Sequence, residues 1–502
     1  MLPITSHSRS RQPRRSRRKA RLTAPILVLL LALFSIAFIG FQSWAALFQT
    51  ENSTLALEQT RSGGAGATKG PANDTARTIC GPASSSQADS FLRCRAQKDA
   101  HMTPASAPHV LCDAGCLVLD PARMQPASFP KHRPHYLTSA GRTYHRYTPG
   151  AFASACEWPE VPRNLSAFPR DHLRDIMESF QASPAGLQVD RKEETPALLV
   201  TREIEEHANV FHTMTDLLNV YITLRVLRWD VHAPRQIVLL DSHPHGPLDA
   251  LWPAVAAGGG ARYLNGSAEA LSPGGQPLVR RVEGLGPGAF ELRRAAFVPP
   301  GYTSLLFAHL YENASCPFPT PLFKGFRSFV LEPLGLMEHQ PSQYQGPLKV
   351  VLVSRKPAAR KLVRSIAKEV DLLEMLRRMP NVEARLLDLA TLTISEQLYL
   401  ITHTDLLIGM HGAALAWTLL MPEHAGVLEL WPQSEGVWRC YEHTSLWSGL
   451  LYRRWAAPSP GPSDDVTVVD GPAVRAVVSR MIPQVTRRRF ALKKHHGFHQ
   501  EA

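Results

Sequence analysis

Residues 405–421 read DLLIGMHGAALAWTLLM, an apolar run that contains a histidine between two glycines. Its first part, to Gly409, is typical of a buried strand, and a helix is expected from about Ala413. A strand that turns into a helix presents free backbone N–H groups, and the partial positive charge of the helix start favours a phosphate. Gly412 permits close approach and His411 can donate a hydrogen bond, although a packing glycine beside a structural histidine is the alternative.

The flanking sequence alternates between strand and helix patterns in two series. In the second series, strands are predicted at 348–355, 382–389 and 426–432, and helices at 365–379 and 393–404, the latter capped by Thr393 or Ser395. In the first series, strands are predicted at 196–202 and 236–241, and helices at 208–227 and from 248. This alternation predicts an α/β protein built on parallel sheets.

Four further residues are candidates for the site. Arg355 ends the strand LKVVLVSR, so it is expected at the same sheet edge as His411, where ligands of open α/β sheets bind. Glu429, near the end of GVLEL, could accept two hydroxyls of a ribose. His212 and Asp216 are four residues apart and share a helix face; Asp216 could orient the imidazole for proton abstraction, or the pair could be structural.

The N-terminus predicts a membrane anchor. The formal net charge of the chain is +12, and residues 1–21 contain eight basic residues and no acid. Residues 22–50 carry no charge, and the apolar segment 22–45 is long enough to cross a bilayer. The basic flank places residues 1–21 in the cytosol and the rest in the lumen, and it favours a cytosolic tail over nucleic-acid binding.

In the lumen, sequons can be glycosylated and cysteines can form disulfides. N-x-S/T sequons occur at Asn52, Asn73, Asn164, Asn265 and Asn313. The seven cysteines can form disulfides in an oxidising compartment, and their odd number leaves at least one unpaired.

Composition suggests the boundaries of the remaining parts. Residues 46–78 have the composition of a flexible stem, and the chain from Cys80 to about Pro169 is predicted to be irregular and disulfide-tied. Residues 79–337 and 338–485 are predicted to form two α/β domains, and 486–502 an exposed basic tail. The lumenal part contains no D-x-D, no P-loop and no G-x-S-x-G, so no metal, cofactor or serine nucleophile is expected.

Two segments together resemble a known family. TREIEEHANVFHTMTDLLNVY and GMHGAALAW are similar to the glycosyltransferase family 61 group, which includes plant core β-1,2-xylosyltransferases, the EGF-domain O-GlcNAc transferase and the O-mannose β-1,4-GlcNAc transferase. PALLVTR, VLLDSHPHGPLDALWPA and LRRAAFVPPGYTSLLF look most like the xylosyltransferases. The likeness covers residues 91–435 approximately.

The resemblance implies a GT-B architecture, with two Rossmann-like units and the active site between them. It implies an inverting, metal-independent transfer from a UDP-sugar, with UDP-xylose as donor and the core mannose of an N-glycan as acceptor. The protein would be a type II Golgi membrane protein. The matching positions are His212 and Asp216 as candidate bases, and, for the donor, Arg355, Arg364, His411, Gly412, Ala413 and Glu429.

Departures from the family pattern leave two alternatives. Ala414 replaces a glycine, Trp417 a histidine and Lys368 an asparagine of the xylosyltransferase pattern. The first alternative is the same chemistry with UDP-GlcNAc and a protein-linked acceptor. The second is a Golgi glycan-binding protein that has lost turnover.

Overall fold

The computed structural model describes the chain from residue 76 to residue 497, with internal gaps. The gaps are residues 83–88, 98–108, 128–143, 158–172, 184–186, 203–208, 259–274, 276, 309–315, 317, 338–345, 356–363, 433–437 and 459–465. The predicted cytosolic tail, the transmembrane segment 22–45, most of the stem and all five sequons lie outside the described residues. Within the described part, no helix combines the length and the apolar character needed to span a bilayer.

Residues 75–502 form one compact unit. Its described strands are β1 (Ala76–Pro82), β2 (Phe91–Gln97), β3 (His109–Leu119), β4 (Met124–Ala127), β5 (Tyr144–Tyr147), β6 (Phe152–Ser154), β7 (Cys156–Glu157), β8 (Phe180–Ala182), β9 (Arg191–Glu193), β10 (Ala197–Val200), β11 (Gln236–Leu239), β12 (Val279–Arg281), β13 (Phe290–Phe297), β14 (Leu348–Val353), β15 (Ser365–Ala367), β16 (Val382–Leu387), β17 (Leu406–Met410), β18 (Gly426–Trp431), β19 (Leu451–Ala456) and β20 (Val466–Val468).

Helices alternate with the later strands. The described α-helices are α1 (Leu173–Ser179), α2 (Val210–Val226), α3 (Leu251–Ala257), α4 (Leu305–Ala308), α5 (Pro321–Leu331), α6 (Glu369–Arg377), α7 (Ile394–Thr402), α8 (Cys440–Trp447) and α9 (Gly471–Gly497). Short 3₁₀ helices cover Pro121–Arg123, Pro247–Ala250, Val282–Gly284, Gly301–Thr303, Leu389–Thr391 and Ala413–Leu420.

The first sheet mixes parallel and antiparallel strands. Its main path runs β12-β11-β10-β13-β3-β2-β1-β7. The predicted strands β10 and β11 pair in parallel, as expected. Strands β12 and β13, which were not predicted, extend this parallel part, whereas β3, β2, β1 and β7 join antiparallel. The prediction of an irregular segment before residue 169 is therefore wrong for its described strands, because polar and apolar residues alternate there too briefly to give a clear period.

The second sheet is parallel throughout. Its order is β16-β14-β17-β18-β19, so the carboxyl ends of β14, β17 and β18 lie side by side. The predicted strand–helix series is confirmed, and the combination of the two sheets is a mixed α/β fold compatible with a GT-B arrangement.

Two of the predicted helices show how the local sequence fixes a helix start. Asn209 caps α2 by accepting a hydrogen bond from the Phe211 N–H at 3.0 Å. Thr393 caps α7 in a reciprocal capping box with Glu396. The helix predicted at 365–379 begins only at Glu369, because Lys368 has a left-handed backbone with φ of 55° and the preceding residues form β15.

Helix α9 includes much of the predicted basic tail. It continues to Gly497, and Arg489 is buried, with its Nη1 3.0 Å from Asp405 Oδ2. The other oxygen of Asp405 lies 2.8 Å from His424 Nε2. The expectation of an exposed tail is therefore wrong at Arg489, because a buried carboxylate at the start of β17 needs a cationic partner.

Cysteine pairing agrees with an oxidising compartment. Cys94 and Cys112 form a disulfide between directly opposed positions of β2 and β3, and Cys156 is also disulfide-bonded. Among the described residues, the unpaired cysteines are Cys116, Cys316 and Cys440. Burial, with a further contribution from Glu429, raises the pKa of Cys440 to about 12, so this thiol stays protonated at neutral pH.

One continuous apolar core joins the two halves. Buried residues of α2, such as Leu217 and Leu224, belong to the same cluster as Trp417 and Leu419 of the 3₁₀ helix Ala413–Leu420. The two segments that carry the family resemblance are therefore held together by packing as well as by sequence order.

A buried ion pair fixes the carboxyl ends of β10 and β11. Arg202 donates from Nη2 to Asp241 Oδ1 at 2.7 Å and from Nη1 to Asp249 Oδ1 at 2.7 Å, and both Arg202 and Asp241 are fully buried. Burial alone raises the pKa of Asp241, but the Arg202 guanidinium outweighs it and holds that pKa well below its usual range.

We expect Asp241→Asn to destabilise the fold by about 3–5 kcal/mol at pH 7, because it leaves Arg202 buried with less compensation. Since the folded-state pKa of Asp241 is depressed, its contribution is present above the unfolded pKa of about 3.9 and is lost as the pH falls through the folded pKa. Urea unfolding at a series of pH values measures this difference, which should shrink below pH ~4.

The matched control is Asp371→Asn, which removes an exposed carboxylate from the first turn of α6. It should change the free energy of unfolding by less than about 1 kcal/mol. Equal effects of the two substitutions at pH 7 would contradict a stabilising role for the Arg202–Asp241 pair.

Candidate active site

The turn after β17 forms the centre of the candidate site. Strand β17 ends at Met410, His411 and Gly412 form the turn, and Ala413 begins a 3₁₀ helix that continues to Leu420. The predicted helix start near Ala413 is confirmed in position, but the helix is 3₁₀ rather than α. His411 is buried, with 2% of its surface exposed.

Arg355 crosses this turn. Its Nη1 donates to the backbone oxygen of His411 at 3.0 Å. A Cβ atom built on Gly412 would lie 2.1 Å from the same Nη1. The φ of Gly412 is 162°, which is extended backbone, so the glycine is needed here for space rather than for an unusual conformation. The sequence prediction that Arg355 and the glycine turn share one sheet edge is confirmed.

Glu429 holds His411 from the neighbouring strand. Its Oε1 lies 2.5 Å from His411 Nδ1, and the carboxylate is fully buried. The carboxylate can only accept, so Nδ1 carries the proton and donates it to this bond, which leaves Nε2 to face other groups. A charge-assisted bond of this kind fixes both the orientation and the tautomer of the imidazole.

Two residues of β19 donate hydrogen bonds to the other oxygen of Glu429. Arg454 Nε lies 3.2 Å from Oε2, and the Tyr452 hydroxyl donates to the same atom. Burial and the Glu429 charge raise the pKa of Tyr452, so its hydroxyl remains a donor. Because both Glu429 oxygens already bond protein groups, this geometry assigns Glu429 to holding His411; direct contact with a ribose stays a prediction.

Sequence reasoning missed Tyr452 and Arg454. The strand LYRRWA carries them at alternate positions, so they share one face of β19, next to β18. That alternation was the available signal, but it needed the strand order to connect it with Glu429.

Aromatic rings link the His411 turn to α2. The His411 ring lies 5.0 Å from the ring of Tyr441, which lies 5.9 Å from the ring of Phe211. Phe211 precedes His212 in the first turn of α2. The two family signatures therefore meet through Tyr441, which the sequence analysis did not single out.

His212 and Asp216 differ in exposure. His212 is half-buried, with its ring 5.5 Å from that of Phe307, whereas Asp216 is only 2% exposed. Burial lowers the pKa of Arg202, but nearby carboxylates outweigh this effect and raise it. Asp241 contributes most, followed by Asp249 and then Asp216. His212 is thus better placed to meet a ligand, and Asp216 belongs to the charged network behind it.

Arg364 belongs to the same region. It is half-buried with a left-handed φ of 68°. Burial raises the pKa of Tyr441. The charges of Cys440 and Glu429 raise this pKa further, whereas those of Arg364 and Arg355 lower it. The electrostatic influence of both arginines on one tyrosine indicates that the predicted cations Arg355 and Arg364 converge near the turn.

A cavity of about 790 Å³ lies at the carboxyl ends of β11 and β12. Its lining includes Asp249, Trp252 and Arg281. Asp249 bonds Arg202, and Arg281 Nη2 lies 2.8 Å from Asp249 Oδ2. Arg202, which pairs with Asp249 of this cavity, also interacts with the charge of Asp216 on α2.

Trp417, one of the departures from the family pattern, is a core residue. It is 1% exposed and donates from Nε1 to Gln397 Oε1 at 3.1 Å. Its indole fills the space between the 3₁₀ helix and α7 and satisfies its own N–H. The substitution therefore changes the packing behind the turn and leaves the groups around His411 in place.

Comparison with protein families gives a match over the central part of the chain. Residues 210–428, which run from α2 through the His411 turn into β18, match the model of the Glycosyltransferase 61 family. Over these residues the chain is similar to the glycosyltransferase 61 family. Every element described around His411 and His212, except β19 and α8, falls within or next to the matched residues of this family.

Curated relatives match a shorter stretch of the chain. The EGF domain-specific O-linked N-acetylglucosamine transferase of Rattus norvegicus is 32% identical over 142 residues, which are 28% of this chain and 25% of the relative. The proteins of the same name from Mus musculus and Drosophila melanogaster are 31% identical over 142 residues and 30% over 134 residues, covering 28% and 27% of this chain and 25% and 24% of the relatives. The matched stretch thus spans about a quarter of each relative.

We expect Gly412→Ala to displace the Arg355 guanidinium, because the new methyl group would occupy the position of Nη1 while the backbone remains allowed. The guanidinium would then no longer be held over the turn, so we expect UDP, the nucleotide that the family resemblance implies as ligand, to bind roughly tenfold or more weakly, a change of about 1.5–3 kcal/mol. Calorimetric titration measures the dissociation constant, and the melting temperature should change little.

Gly471→Ala is the control, since a Cβ there meets nothing within 4 Å. It should leave UDP affinity unchanged. Unaltered UDP affinity in a folded Gly412→Ala variant would show that the Arg355 position over this turn is not needed for binding.

Proposed function

We propose that this protein is a glycosyltransferase that transfers a sugar from a UDP-sugar to a glycan with inversion at the anomeric carbon, and that it does so as a type II membrane protein of the Golgi. The observation that carries the proposal is the His411 turn, crossed by Arg355 and joined through Tyr441 to the helix of His212. A cationic turn beside a half-buried histidine suits a reaction with an anionic leaving group and a hydroxyl nucleophile.

The proposed donor half stabilises the diphosphate. Arg355, Arg364 and the N–H groups at Ala413 supply positive charge and donors, and His411 Nε2 adds a polar atom held by Glu429. As the bond between the anomeric carbon and the diphosphate oxygen breaks, the electron pair stays on that oxygen. Fixed cations lower the energy of the developing charge. No divalent metal is required in this scheme, and a chelator tests that expectation.

The proposed acceptor half activates a hydroxyl. One ring nitrogen of His212 accepts the hydroxyl proton as the oxygen attacks the anomeric carbon, which turns an α-linked donor into a β-glycoside. The Asp216 carboxylate, four residues along α2, favours the imidazolium that forms. The cavity lined by Asp249 and Arg281 supports a glycan acceptor on this side, since both side chains can form hydrogen bonds with sugar hydroxyls.

We favour UDP-xylose as the donor and the core β-mannose of an N-glycan, linked β-1,2, as the acceptor. The support is the resemblance of PALLVTR, VLLDSHPHGPLDALWPA and LRRAAFVPPGYTSLLF to the core xylosyltransferases. Residues of all three stretches lie in or next to β10, β11 and β13, on the proposed acceptor side.

UDP-GlcNAc with a protein-linked acceptor is the second candidate. The curated relatives that match this chain are named as N-acetylglucosamine transferases specific for EGF domains, and that name favours this donor. Trp417 packs in the core without disturbing the turn, which weakens the case for a glycan-binding protein without turnover.

A donor and acceptor screen distinguishes these candidates. We expect the full chain, in detergent with a chelator, to add a pentose from UDP-xylose to a truncated N-glycan, detected by mass spectrometry. Addition of N-acetylhexosamine to an EGF-like domain instead would establish the second candidate. A folded protein that binds glycan but transfers nothing from any UDP-sugar would refute the enzymatic proposal.

We expect His212→Ala to lower kcat by about 10²–10⁴-fold with little change in UDP affinity, because it removes the proposed base and leaves the donor half intact. His232→Ala, at an exposed histidine beyond the end of α2, is the matched control and should retain normal turnover. Near-normal turnover in a folded His212→Ala variant would remove His212 from the mechanism.

A further inference from the structure

Three aromatic rings surround the His411 imidazole, and one of them is open to solvent. Trp431 lies 4.3 Å and Tyr441 5.0 Å from it, and both are buried. The ring of Trp438 lies 5.5 Å away in an edge-to-face arrangement and is 37% exposed. An indole exposed to this degree beside a buried, fixed imidazole has a surface available for a ligand.

The backbone of Trp438 is tied to the same charged cluster that holds His411. Arg454 donates from Nη2 to the Trp438 carbonyl at 3.2 Å, and its Nε contacts Glu429 at 3.2 Å. Arg439, the next residue, precedes the first turn of α8, and its Nη1 lies 3.5 Å from Glu442 Oε2. The carbonyl of Trp438 and the start of the helix that follows it are therefore both held by charged side chains, which lowers the entropic cost of using the ring as a binding surface.

The exposed indole of Trp438 lies beside the turn that Arg355 makes cationic. Such a pair of groups suits a ligand that carries both an anionic group and an aromatic ring. A nucleoside diphosphate has this form, with the diphosphate at the turn and the base one ribose away. Trp438 belongs to the same half of the protein as Arg355 and His411, which favours the nucleotide over the acceptor sugar as the group that meets it.

We propose that Trp438 is the stacking platform for the pyrimidine base of the nucleotide donor. The inference rests on the proposed function, since it assumes that the His411 turn binds a nucleoside diphosphate. It extends that function by assigning base recognition to a residue that the family-like segments do not include. Stacking on an indole holds a base through its π-face, so it contributes affinity while Arg355 and His411 position the phosphates.

UDP binding to the full chain in detergent tests the proposal, followed by calorimetry and by tryptophan fluorescence. We expect Trp438→Ala and Trp438→Leu each to raise the UDP dissociation constant about tenfold or more, and Trp438→Phe to stay within roughly threefold of the wild type, because an aromatic face is what matters. UDP should quench part of the tryptophan fluorescence in the wild type, and Trp438→Phe should lose that quenching while still binding.

Phe490→Ala, at another exposed aromatic residue on α9, is the matched control and should bind UDP normally. Unchanged UDP affinity in Trp438→Ala and Trp438→Leu overturns the assignment. A raised KM for the glycan acceptor in these variants would then show that Trp438 binds the acceptor instead. Equal losses in the alanine, leucine and phenylalanine variants would mean that the residue acts through the Arg454 cluster. Absence of UDP binding in the wild type would reject the proposed function itself, which keeps the two failures distinct.

Discussion

The site depends on one buried carboxylate. Glu429 is fully enclosed, so its charge must be balanced by neighbours, and these neighbours are His411 on one side and Arg454 and Tyr452 on the other. The turn after β17 and the parallel strands β18 and β19 supply these groups, and Arg454 lies directly opposite Glu429 in the pairing of β18 with β19. Register between these strands is therefore under a constraint that apolar packing alone would not impose.

The parts of the fold that the sequence predicted are those with long and regular patterns. The apolar residues of 210–226 recur at helical spacing, and residues 405–421 join a long apolar strand pattern to a glycine turn; the structure confirms helix α2, strand β17 and the turn. The strands of the first sheet before residue 169 were missed because polar residues and glycine interrupt their apolar pattern, even in β3, which is 11 residues long. Pairing with distant strands, such as β3 with β13, stabilises them, and no local pattern reveals that.

The same limit applies to the site. Arg355, His411 and Gly412 could be found because they follow strands whose carboxyl ends share an edge. Tyr452 and Arg454 could not, because their relevance depends on β19 lying beside β18, a fact of sheet order rather than of sequence spacing. Glu429 was found, but its charged neighbours, which decide what it does, were not.

Tyr441 contacts a ring from each half of the protein, Phe211 on α2 and His411 on the opposite turn. A buried ring in that position has little freedom to adjust to one side alone. Any ligand that shifts this ring on binding at one half must change the affinity of the other half, and linkage requires the effect to be equal in both directions. The geometry thus allows binding at the two halves to be cooperative without a moving lid or hinge.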